Sequence, residues 1–100
     1  MELIIEKQNE VVTAFLKGRL DTLATQEVAS QINGLTEAVS GTIVLDCTDL
    51  TYISSSGLRI FITLRKAAAA KGGQVIVKNI SNDIRSVFMM TGFLNLFEIR

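Results

Sequence analysis

Residues 42–78 read TIVLDCTDLTYISSSGLRIFITLRKAAAAKGGQVIVK, and the way this stretch divides decides the fold. Thr42-Ile43-Val44-Leu45-Asp46 is a short continuous apolar run, as a strand covered on both faces requires. Gln74-Val75-Ile76-Val77-Lys78 is a second such run, introduced by Gly72-Gly73, which reads as the end of a helix. Between the two the pattern becomes helical from about Ser56 to Lys71, reached through a loop that leaves the first strand after Asp46. Strand, helix and strand in this order predict a parallel pair joined by a right-handed crossover.

Working outward, Leu3 to Lys7 and Val11 to Lys17 read as two strands. Gln8-Asn9-Glu10 turns between them, so the pair is an antiparallel hairpin, closed by Gly18. From Leu23 the period changes. Ala24, Val28, Ile32, Leu35 and Val39 recur at spacings of three and four and share one helical face. Thr22 or Thr25 caps that helix, and Gly41 terminates it. Downstream, Ser81 caps a short helix through Met90 with Ile84, Val87 and Phe88 inward. Gly92 ends it, and Leu96 to Ile99 form a last strand. The expectation is one α/β domain over residues 1–100: a mixed sheet opened by an N-terminal antiparallel hairpin, followed by alternating parallel strands and helices.

Composition narrows the function. Ten basic and ten acidic residues cancel, and no basic stripe is available for phosphate backbones, so nucleic acid is not expected as a partner. The chain has no histidine, which removes the commonest general base, zinc ligand and pH switch together. No metal site and no cofactor are expected. The single cysteine, Cys47, forms no internal disulfide and fits a reducing compartment. No run approaches the roughly 18 apolar residues of a membrane span, and Met1 to Lys7 lacks the apolar core of a signal peptide. The expected location is the cytoplasm.

The chemistry concentrates where the central helix begins, at Ser54-Ser55-Ser56-Gly57-Leu58-Arg59. A serine at such a junction can cap the helix. The unpaired amides and the positive end of the dipole would equally hold a phosphoryl group, which adds about −1.5 to −2 charges without unfolding the chain. Ser56 reads as the inward-turned residue or the cap. In the helix that follows, Ile60, Phe61, Leu64, Ala67 and Ala68 face the sheet, while Leu58, Ile62 and Ala69 lie to one side. Leu58 and Ile62 are therefore expected to offer an apolar surface to a partner.

Several of these segments together resemble the STAS domains, and among them the bacterial anti-sigma factor antagonists related to SpoIIAA. Leu16-Lys17-Gly18-Arg19-Leu20-Asp21 is similar to the family's L-x-G-x-L-D stretch. Ile43 to Asp46, followed by Leu50 to Leu58, resembles its central signature, often D-S-S-G or S-S-A-G. Lys71-Gly72-Gly73, Ser81 to Val87 and Thr91-Gly92-Phe93 match in type and order. The resemblance implies a protein that is not an enzyme. It implies that Ser55 is the serine phosphorylated by an anti-sigma factor that is itself a GHKL-type serine kinase. Ser54 and Ser56 are open to the same modification, because Ser54 stands where the family often has aspartate. A serine phosphatase is implied as the reversing partner. The unphosphorylated form would bind the anti-sigma factor, regulating transcription indirectly, through a surface of Asp21, Ser54, Ser56, Gly57, Leu58, Arg59 and Ile62. Asp21 either pairs with a partner cation or caps the first helix.

Two other functions compete. An unphosphorylated STAS subunit of a larger signalling or transport assembly uses the same surface without the switch. A serine hydrolase needs a base, and neither histidine nor an S-x-x-K or G-x-S-x-G spacing supplies one. Weak nucleotide binding stays as a minor alternative.

Overall fold

The computed structural model describes residues 1–35 and 41–100. Strands β1 (Glu2–Gln8) and β2 (Val11–Leu20) are followed by helix α1 (Thr22–Asn33), strand β3 (Thr42–Ile53) and helix α2 (Ser55–Ala70). Strand β4 (Gln74–Lys78), helix α3 (Asn82–Met90), a 3-10 turn (Leu94–Leu96) and the short β5 (Glu98–Ile99) complete the order. The five strands lie side by side in sequence order. β1 pairs with β2 antiparallel, and every later pair is parallel. The chain is thus the mixed α/β sheet that the sequence predicts. The parallel strands step the same way across the sheet, and residues of all three helices pack against one of its faces.

That face holds the core. Val12, Ala14, Leu16 and Leu20 of β2, Ile43, Leu45 and Cys47 of β3, and Val75 and Val77 of β4 meet Val28 and Ile32 of α1 and Leu58, Phe61, Leu64 and Ala68 of α2. Phe61, Phe88 and Phe97 form an aromatic triangle, with ring centroids 5.8–6.4 Å apart and the planes tilted to one another, the geometry their quadrupoles favour. The helix-free face carries Thr13, Phe15, Val44, Asp46, Ile76 and Lys78, in keeping with their register.

β3 differs most from expectation. It does not stop at Asp46 but runs to Ile53, and no loop precedes α2. Against β2, Phe15 faces Asp46 but Lys17 faces Asp49; Gly18 faces Leu50 but Arg19 faces Tyr52. Each shift puts one extra residue into β3, a bulge that advances the pleat. The inward residues are therefore Ile43, Leu45 and Cys47, then Leu50, then Ile53. Local bonds close both bulges. Asp46 Oδ1 accepts from the Thr48 amide (3.0 Å) and hydroxyl (2.6 Å), and the Thr51 hydroxyl donates to the Gly18 carbonyl (3.0 Å). Gly18 lies inside β2 with φ +102° rather than closing it.

The helix ends follow their residues. α2 finishes in Lys71-Gly72-Gly73, where the Gly72 amide reaches the Ala69 carbonyl and the Gly73 amide the Ala68 carbonyl. Gly72 supplies the positive φ that this double closure needs. α3 closes the same way through Gly92 and Phe93. α1 is capped by Asp21, not Thr22 or Thr25, and has Gly34 at its C-cap. Val39, expected on its apolar face, lies outside the described residues. Gly41 sits at the entry to β3, where an added Cβ would run into the Glu10 carbonyl.

Candidate functional site

β2 and β3 end together, with Leu20 opposite Ile53, and each then turns into a helix. The N-termini of α1 and α2 consequently open on the same edge of the sheet, the edge where α/β folds place their binding groups. One residue joins the two ends. The Ser54 amide donates to the Leu20 carbonyl at 2.9 Å, and the Ser54 hydroxyl donates to the same oxygen at 3.0 Å. That hydroxyl also accepts from the Gly57 amide at 3.2 Å. Ser54 is the N-cap of α2, 9% exposed, with its oxygen used in both directions.

Ser55 is the first residue of α2 and is exposed, and its hydroxyl makes no hydrogen bond among the described residues. Ser56 is half-buried and does not cap. The three serines thus divide into a sealed cap, an open hydroxyl and a partly covered one. The first amides of a helix have no carbonyl one turn back to accept them, so the open hydroxyl stands beside unpaired donors. Asp21 caps α1 in the same way, its Oδ1 accepting from the Ala24 amide at 2.9 Å.

Beneath the serines the packing is tight. Gly57 is buried, and a Cβ there would stand 2.9 Å from both Ile53 Cγ1 and Leu20 Cδ2. Leu58 is 1% exposed, which corrects the expectation that it faces a partner. It belongs to the stripe Leu58, Phe61, Leu64 and Ala68, at spacings of three, three and four, that packs into the core. Ile62 is half-buried against the same core and offers only part of its side chain. Arg59 is exposed, one helical turn beyond Ser55.

The apolar surface near Ser55 comes instead from residues the sequence reading passed over. Leu23, in the first turn of α1, is 66% exposed, and Tyr52, three residues before Ser55, is 39% exposed. The Arg19 guanidinium lies over the Tyr52 ring, 4.3 Å from its centroid. Leu23 was legible as an apolar residue off the Ala24–Val28–Ile32 stripe. The Arg19–Tyr52 contact was not, because it depends on a register that two bulges displace.

Other reactive groups on this chain are quiet. The Cys47 thiol is buried, donates to the Leu45 carbonyl at 3.7 Å, and is pushed up to about 12 by burial and by the neighbouring Asp46 charge, so it is not a thiolate nucleophile. Among the described residues no group of acidic or cysteine side chains gathers as metal ligands would. No described helix is long and apolar enough to cross a membrane.

The family model of the STAS domain matches residues 2–100. The chain belongs to the STAS domain family. Among relatives of this STAS domain, BtrV of Bordetella bronchiseptica is 26% identical over 99% of this chain and 85% of its own. The anti-sigma-B factor antagonist of Listeria monocytogenes is 21% identical over 97% of this chain and 85% of its own. The solved structure of SpoIIAA, an anti-sigma factor antagonist, in its unphosphorylated form superposes with a TM-score of 0.77 at 24% identity, over 99% of this chain and 87% of that one. The phosphorylated form from Bacillus gives 0.76 at 25% identity, over 99% and 91%.

Proposed function

We propose that this STAS domain is an anti-sigma factor antagonist whose binding is switched by phosphorylation of Ser55. The observation that carries the reading is the open, unbonded hydroxyl of Ser55 at the start of α2, between a serine locked into the fold and one partly covered. The names of relatives support the partner class: an anti-sigma-B factor antagonist among them, and SpoIIAA solved with and without phosphate. In the unmodified state the anti-sigma factor docks on the edge formed by Asp21, Leu23, Tyr52, Ser55 and Arg59, with Ser56 and Ile62 at its margin. Ser54, Gly57 and Leu58 shape that edge from below.

The partner also serves as a serine kinase of the GHKL type. The Ser55 oxygen attacks the γ-phosphorus of bound ATP, the bond to the bridging oxygen breaks, and ADP leaves. The hydroxyl proton passes to a base of the kinase, since this chain has no histidine to take it. The new charges stand on a surface that must lose water to be covered, so desolvation and repulsion end the complex. A serine phosphatase restores the binding form. The domain acts as a binding module, not an enzyme, in a reducing cytoplasm.

The test is incubation with ATP and candidate GHKL-type serine kinases of the source organism. One phosphate should be added to the wild type and none to Ser55→Ala, while Ser55→Ala keeps its affinity for the unloaded partner. Leu23→Glu should weaken that affinity tenfold or more, about the 1.4 kcal/mol expected of an exposed apolar anchor. A phosphate that persists in Ser55→Ala defeats the reading. So does stable binding of fully phosphorylated protein, which would favour a STAS subunit of a larger assembly.

A further inference from the structure

We propose that Arg19 and Arg59 form an intramolecular receptor for the phosphoryl group on Ser55, and that engaging it draws Arg19 off the Tyr52 ring. The inference rests on Ser55 as the modified residue and adds what reads the modification within this chain.

Arg19 is a cation held by a neutral ring. Its guanidinium sits 4.3 Å from the Tyr52 centroid, and among the described residues the ion pair is Arg100 with Glu98, so no carboxylate claims Arg19 or Arg59. Arg19 is also tied to the serines through the backbone. It precedes Leu20, whose carbonyl takes both bonds from Ser54, and Ser54 precedes Ser55. Its cross-strand partner is Tyr52, three residues before Ser55. The open serine therefore lies one residue beyond a hydrogen-bonded joint that Arg19 enters from the other side. Arg59 approaches along the helix, four residues after Ser55 and on the same side of α2.

The exchange follows from the relative strength of the contacts. An exposed cation–π contact is weak and leaves the guanidinium N–H groups to water. A phosphomonoester accepts those N–H groups in pairs, with opposite charge. A dianion on Ser55 thus outcompetes the ring for Arg19. Tyr52 loses its cover at the same moment, so the modification changes the partner surface in two ways: it adds charge at Ser55 and alters the aromatic contact beside it. The amides at the start of α2 would hold a phosphate without either arginine, and the two guanidinium groups add opposite charge and paired donors to that hold.

The experiment installs phosphoserine at position 55 during translation, by genetic code expansion, in the full chain. Because the modification is built in, a kinase that ignores Ser55 would defeat the functional reading and leave this measurement standing. The second ionisation of the phosphoserine is followed by phosphorus NMR. Arg19→Ala and Arg59→Ala should each raise it by about half a pH unit relative to wild type, and Arg19→Lys should recover part of that shift. Tyr52 is the one tyrosine, and the chain has no tryptophan, so intrinsic emission reports its ring alone. Phosphoserine should change that emission in the wild type and leave it unchanged in Arg19→Ala. The same titration in wild type and Arg19→Ala overturns the proposal, and so does tyrosine emission indifferent to the phosphate.

Discussion

At the scale of single residues, three serines in a row have three fates, decided by which one the backbone needs. Ser54 supplies the cap and doubles the bond to Leu20, so Ser54→Ala should cost about 1–2 kcal/mol, in the range of lost N-caps. Ser55 holds nothing in place, and Ser55→Ala should stay within about 0.5 kcal/mol of wild type. Urea unfolding of the two variants checks this directly, and equal losses would mean that the cap has been assigned to the wrong serine. The local sequence could not separate the candidates, since each carries the same hydroxyl and any of them can precede a helix. What distinguishes Ser54 is the Leu20 carbonyl, 34 residues away in the chain. Asp21 was open to two roles, and the cap on Ala24 is the one seen here.

At the scale of elements, the site depends on how closely α2 approaches the ends of β2 and β3. Gly57 permits that approach. Gly57→Ala would press a methyl group against Leu20 and Ile53, and the overpacking should cost about 1–3 kcal/mol. It should also weaken partner binding by moving Ser55, whereas an alanine at the exposed Thr63 should do neither; thermal unfolding with a binding assay distinguishes them. The hairpin, the parallel order and the glycine-closed helix ends were legible because each rests on a local signal: alternation, an apolar run, a positive φ. The stretch from Cys47 to Ile53 was not. Two bulges break its alternation, so a strand looks like a loop. Phe61, Leu64 and Ala68 of α2 face the core as expected, with Ile60 packed against it, and Leu58 joins them against expectation for a related reason. Apolar residues cover so much of this helix that Ile60 and Ala67 fit the core as well on paper as Leu58 does, and only the sheet beneath sets the phase.

At the scale of the whole molecule, the absence of histidine means that no ordinary side chain titrates between about pH 5 and 8, so stability should be flat across that window. Below it, Asp46 matters. Partial burial raises its pKa, but the Thr48 hydroxyl and amide, Asn79 and Lys78 outweigh this and hold it below 3.8. A depressed carboxylate stabilises above its unfolded value, and that contribution is lost as pH falls through the folded one. On the alkaline side, Cys47 stays protonated in the fold up to about 12 against 9.0 when unfolded, so stability should decline as pH rises past about 9. Chemical denaturation from pH 3 to 10 checks both limbs; Asp46→Asn should flatten the acid one and Cys47→Ala the alkaline one. The paired bulges of β3 also decide where this molecule tolerates a change in length. Deleting Thr48 or Thr51 removes a surplus residue, straightens the strand and leaves Leu50 and Ile53 pointing inward. Deleting Val44 instead inverts the alternation, turning Leu45 and Cys47 toward water. Shortening preserves the inward stripe only where the strand already carries one residue too many.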